Sequence, residues 1–165
     1  MAPMKNSVRT AGLKIIDAKK QVHYRKVRDL FLQYADSLDF DLEFQGFSRE
    51  LATLPGSYAP PEGCILLAEA SGRWAGCVAL RPLEDKICEM KRLYVRSEFR
   101  GRGIGRLLAI SVIDRARAIG YEKMRLDTVP AMKEARTLYY SLDFRNINAY
   151  RYNPVDDASY MELQL

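Results

Sequence analysis

Between Leu93 and Arg106 the chain reads Leu93-Tyr94-Val95-Arg96-Ser97-Glu98-Phe99-Arg100-Gly101-Arg102-Gly103-Ile104-Gly105-Arg106, with three glycines at alternate positions among four arginines. Glycine admits positive φ and close backbone approach. Successive amide N–H groups in such a loop can converge on one anion at the positive end of a helix dipole, and guanidinium groups add charge-assisted contacts. A diphosphate suits that arrangement. The competing reading is a tight strand-to-helix turn with solvated arginines. Two familiar phosphate loops are excluded: no Gly-Lys-Ser/Thr follows the glycines, and Leu108 stands where the dinucleotide fingerprint needs a small residue.

The elements that must position this loop follow from period and punctuation. Leu13 to Ile16 reads as a strand, with Asp17 at the N-cap position of a helix over Ala18 to Leu38, whose stripe is Val27, Leu30, Phe31, Tyr34 and Leu38. A shorter helix is expected over Ser48 to Thr53, and Pro55 to Gly63 reads as loop. Cys64 to Ala70, Trp74 to Leu80 and Ile87 to Val95 form a three-strand meander, its turns at Ser71-Gly72-Arg73 and Pro82 to Lys86. Ile104, Leu107, Leu108, Val112, Ala116 and Ile119 share one face of a helix stopped by Gly120. A strand over Met124 to Thr128, a helix over Ala131 to Leu142, and strands over Phe144 to Tyr150 and Ser159 to Leu165 complete the order. This predicts a mixed α+β fold, a central mixed, mostly antiparallel sheet of about seven strands flanked by about four helices.

The 165 residues suit one domain spanning 1–165. The start carries a short polar leader rather than a signal-peptide core, and no apolar run is long enough for a membrane span, which makes the cytoplasm the expected compartment with no membrane partner. Cys64, Cys77 and Cys88 are an odd set in apolar strands and read as buried free thiols. The net charge of +5 raises nucleic acid as a partner, but the basic stretch is interleaved with glycine rather than aromatics, which fits a compact polyanion better than a long phosphate backbone.

Arg100-Gly101-Arg102-Gly103-Ile104-Gly105 has the form Arg/Gln-x-x-Gly-x-Gly/Ala, and so resembles the acetyl-coenzyme A loop of the GNAT superfamily of N-acetyltransferases. Leu93-Tyr94-Val95 is similar to that superfamily's fourth strand, and Ala135-x-x-Leu138-Tyr139-x-x-x-x-Phe144 to the helix and strand after its fifth. The sharp motifs lie between Glu89 and Phe144, while element order agrees from Leu13 to Leu165. Two positions depart from the pattern: Asp143 replaces the usual glycine before Phe144, implying a different turn geometry, and Met132 stands where asparagine is common.

The resemblance implies an acyltransferase that moves acetyl from acetyl-coenzyme A to a primary amine of a small molecule or peptide, by direct attack in a ternary complex and without a metal. Leu93, Tyr94, Val95, Arg100, Gly101, Arg102, Gly103, Ile104, Gly105 and Arg106 are then the cofactor-binding set. Attack requires a neutral amine, a donor for the developing oxyanion and an acid for the leaving thiolate. The resemblance points to a backbone N–H near Leu93 for the oxyanion, helped by a β-bulge, and to Tyr139 for the acid. Tyr139 equally fits as a core tyrosine of its helix. Glu89 matches a family base acting directly or through water, and simple alternation puts it on the face of Leu93; a solvated or salt-bridged glutamate beside Lys91 or Arg92 is the equal alternative. His23 reads as a surface residue. Asp36, Asp39, Asp41 and Glu43 could attract a cationic acceptor or form a solvated acidic surface, and Phe40, Tyr150 and Asn153 are the candidate acceptor-site residues, with Tyr152 beside them; Tyr150, Tyr152 and Asn153 equally fit core or turn positions. A non-catalytic acyl-coenzyme A sensor is the rival function, and a homodimer stays open.

Overall fold

In the computed structural model, which describes residues 12–165, one seven-stranded sheet runs in the order β1-β2-β3-β4-β5-β7-β6. The polar leader lies outside the described residues. The strands are β1 (Leu13–Asp17), β2 (Cys64–Ala70), β3 (Arg73–Glu84), β4 (Ile87–Val95), β5 (Lys123–Thr128), β6 (Arg145–Ile147) and β7 (Ser159–Gln164). The helices are α1 (Gln21–Asp36), α2 (Phe47–Ala52), α3 (Ile104–Ile119) and α4 (Lys133–Ser141). Every sheet pairing is antiparallel except β4 with β5, where the α3 crossover returns the chain in the same direction.

Apolar residues of alternating strands separate to the two faces. Val78, Leu80, Cys88 and Met90 pack with Leu108, Val112 and Ala116 of α3 on one face. Cys77, Ala79 and Leu67 pack with Val27, Leu30 and Phe31 of α1 on the other. The three cysteines are buried free thiols, whose burial holds them protonated.

Three expectations change. Asp17 does not cap α1; it ends β1, and its carboxylate takes two hydrogen bonds, 2.8 and 2.7 Å, from the Arg115 guanidinium on α3. The helix starts at Gln21, where His23 Nδ1 accepts the Lys19 amide at 3.2 Å. Second, β3 runs through Pro82 to Glu84, because a register shift at Pro82 accommodates the missing N–H. Third, β6 stops at Ile147, and Tyr150 lies in the irregular segment that follows. At the α4–β6 turn Asp143 adopts φ +71, in the left-handed region that favours glycine.

Candidate active site

The site lies where β4 and β5 part. Their parallel pairing covers Ile87 to Glu89 on β4 and stops at Arg125 on β5, so the later residues of β4 face β5 without a ladder. The divergence coincides with a bulge. Cys77 pairs with Tyr94 and Ala79 with Lys91, so the single residue Val78 faces both Arg92 and Leu93, and Arg92 takes φ +60.

The bulge moves the side-chain phase by one residue. Leu93 and Val95 join Cys88 and Met90 on the α3 face, whereas Tyr94 joins the α1 face. Glu89 therefore does not share the face of Leu93, which corrects the simple alternation. The Glu89 side chain is fully buried, held by Arg81 at 2.8 Å, the Tyr150 hydroxyl at 2.7 Å and the Arg151 guanidinium. It lines neither cavity described below.

Between Val95 and α3 the loop presents unused donors. Gly101 and Gly103 both take φ +76, and Gly103 is the N-cap of α3. The Arg100 amide donates to Ser97 and the Leu107 amide to Gly103, but the amides of residues 101 to 106 donate to nothing among the described residues. They form the N-terminal donor cluster that draws an anion to a helix. Leu93, Tyr94, Val95, Arg100, Gly101, Gly103, Ile104 and Gly105 line a cleft of about 730 Å³, closed opposite by Ala131 to Ala135 and Leu138 of the α4 region. Arg100 Nε donates to the Val95 carbonyl at 3.0 Å. Arg102 instead lies over the Phe99 ring at 5.6 Å, and Arg106 donates to Ser141 Oγ at 2.9 Å. Met132 lines the cleft with an apolar side chain.

A second, narrower cavity of about 40 Å³ continues from the first, and Tyr34, Phe40, Leu93, Val129 and Met132 belong to the walls of both. Its own lining adds Lys91, Arg92, Asp127, Thr128, Tyr139 and Asn153. Of the acceptor-site candidates Phe40 and Asn153 are thus on the wall, while Tyr150 sits behind it, its hydroxyl spent on Glu89. Tyr139 is buried against Phe144, and its hydroxyl makes no hydrogen bond among the described residues. Burial pushes its acidity well away from neutral, so the hydroxyl keeps its proton.

The charged residues of this wall were not singled out from the sequence. Arg92 makes two hydrogen bonds to Glu50, 2.9 and 3.0 Å, and a third to Gln45 Oε1 at 3.0 Å, tying the bulge to α2. Lys91 Nζ donates to the same Gln45 oxygen at 2.8 Å and lies 4.0 Å from Asp127 Oδ1. Burial, then the neighbouring Arg92, lower the Lys91 ammonium to about 8 despite Asp127. The legible signal was Lys91-Arg92 in a strand otherwise rich in apolar residues: such a pair inside a sheet needs buried partners.

Residues 25–144 match the family described as Acetyltransferase (GNAT) family. The chain is 39% identical over 138 residues to an uncharacterised N-acetyltransferase of Schizosaccharomyces pombe, covering 82% of this chain and 85% of that protein. It is 30% identical to one of Dictyostelium discoideum over 93% of this chain and 99% of the other. The fold matches a solved PaiA N-acetyltransferase of Thermoplasma acidophilum in complex with coenzyme A, with a TM-score of 0.72, 16% identity, and coverage of 94% and 100% of the two chains. Family match, relatives and fold agree with the loop geometry: the chain belongs to the GNAT family of acetyltransferases.

Proposed function

We propose that the protein, as one domain, transfers the acetyl group of acetyl-coenzyme A directly to a primary amine while both are bound. The observation that carries this reading is the run of unspent amides from 101 to 106 at the mouth of α3, opening on the cleft that ends at the β4 bulge. The thioester supplies an activated acyl carbon. Amides 101 to 106 and Arg100 would hold the diphosphate, and the unpaired edge of β4 from Leu93 to Val95 would pair with the pantetheine amides as a strand does. Arg102 and Arg106 contribute positive potential at the cleft mouth rather than lining it.

The interrupted ladder at Arg92 and Leu93 supports a main-chain N–H as oxyanion donor, a fixed dipole that needs no reorganisation. The acid for the leaving thiolate is, in this reading, Tyr139, a role supported by a hydroxyl that keeps its proton, has no partner among the described residues and belongs to a residue of the cavity wall. Glu89, sealed by three donors, suits a positioning role: it anchors Tyr150 and Arg151, and so the segment that carries Asn153 to the wall. The amine's proton then leaves by water in the open cleft. Incubation with acetyl-coenzyme A and a panel of primary amines, followed by thiol release, tests the reading. Binding without release from any amine would favour a sensor instead.

A further inference from the structure

In the wall of the narrow cavity, two opposite charges neutralise each other only loosely. The Lys91 and Asp127 side chains are 3% and 7% exposed, yet Nζ and Oδ1 stand 4.0 Å apart, beyond hydrogen-bond length. Lys91 has three donors and spends one well, on Gln45. Among the described residues Asp127 otherwise accepts only from Asn153 Nδ2, at 3.3 Å. Thr128, the next residue of β5, has a hydroxyl oxygen buried with no partner among the described residues. All three residues line the same cavity. Buried polar groups are rarely left so under-used unless something else completes them. Arg92, by contrast, is committed to a bidentate pair with Glu50 and a third hydrogen bond to Gln45.

The under-used groups are a cation, an anion and a hydroxyl within one small space. A simple ammonium would satisfy Asp127 but set a second positive charge against Lys91, with Arg92 next to it. A ligand carrying both charges on neighbouring carbons satisfies the set at no net charge. Given the acetyl-transfer reading, on which this step rests, we infer that the acceptor is a small amino-acid-like zwitterion. Its carboxylate is held by Lys91 and the Thr128 hydroxyl, and its amine is stationed at Asp127, facing the cleft. The cavity of about 40 Å³ takes the charged head, and the rest of the acceptor lies past Phe40 in the wider cleft.

The test compares free L-amino acids with their C-terminal amides as acceptors, reading kcat/KM by thiol release, with coenzyme A binding measured alongside. The free acids should be preferred by about tenfold or more, the size of a hydrogen-bonded charge contact. Lys91→Met should collapse that ratio to near one, chiefly by raising KM for the acid. Thr128→Val should reduce it part of the way. Retained coenzyme A binding shows that each variant is folded. Amides, polyamines or peptide amines used as well as or better than the acids would overturn the inference and leave acetyl transfer standing. Coenzyme A binding with no thiol release from any acceptor would overturn the transfer reading and this inference with it.

Discussion

A Cβ atom placed on Gly76 of β3 would stand 2.4 Å from the carbonyl oxygen of Tyr94 on β4. The obstacle is main chain and cannot rotate away, and the same Cβ would lie 3.2 Å from Val95 Cα and 3.3 Å from Leu108 Cδ1. Only glycine lets the end of β4 lie this close to β3 while its opposite edge faces the cleft. Gly76→Ala should therefore push β4 toward the cleft, destabilise the fold by about 2 kcal/mol, and weaken coenzyme A binding. Calorimetric melting and a binding titration on the same sample check it. An unaltered affinity would show that this close approach does not shape the slot.

Tyr139→Phe removes one oxygen from a ring already packed on Phe144, so the fold and coenzyme A binding should persist. If the hydroxyl protonates the thiolate, kcat falls by about a hundredfold, measured under saturating acetyl-coenzyme A. Unchanged kcat would return Tyr139 to a packing role.

Two roles for Glu89 differ in what its replacement does. Glu89→Gln leaves Arg81 and Arg151 facing an uncharged group in the interior, which predicts a loss of stability of about 3 kcal/mol with a raised KM for acceptor, since the Tyr150–Arg151 anchor loosens. A base would show the reverse: a large fall in kcat with an intact melting temperature. Melting curves and a split of kcat from KM decide between them.

Lys91 gives the site a pH dependence of known sign. It is faced by Asp127 from β5, Glu89 and Arg92 from β4, Arg81 from β3 and Gln45 from the turn before α2, with burial as the main influence. The depressed ammonium is charged below about 8 and loses its charge as pH rises through that value. A carboxylate lacking the amine keeps constant charge across this range, so its inhibition of transfer should hold at neutral pH and weaken about tenfold per pH unit above it. Inhibition constants measured across that range test this. A flat profile would detach Lys91 from carboxylate binding.

The loop, the order of elements and the α3 stripe were legible because each is written locally: glycines at alternate positions, a 3.6-residue period, a terminal Gly120. The chemistry on β4 was not. Strand alternation predicts which face Glu89 occupies only while the pleat is unbroken, and the bulge at Arg92 and Leu93 depends on pairing with β3, which is not a local property. Asp17 misled for a related reason: its side chain was taken by Arg115, 98 residues away, before it could cap a helix. The acidic run from Asp36 to Glu43 contributes Asp39 to the cleft wall, but the anion lining the narrow cavity is Asp127, on a strand that pattern alone marks only as apolar and polar by turns.

The most direct test is calorimetric titration of the folded protein with acetyl-coenzyme A and, separately, with pantetheine, which lacks the diphosphate. Saturable one-site binding of the coenzyme, at least about a hundredfold tighter than pantetheine and weakened by Arg100→Ala, is the expected result. No heat at millimolar coenzyme, or pantetheine bound as tightly as the whole molecule, would contradict a diphosphate held by the amides of residues 101 to 106.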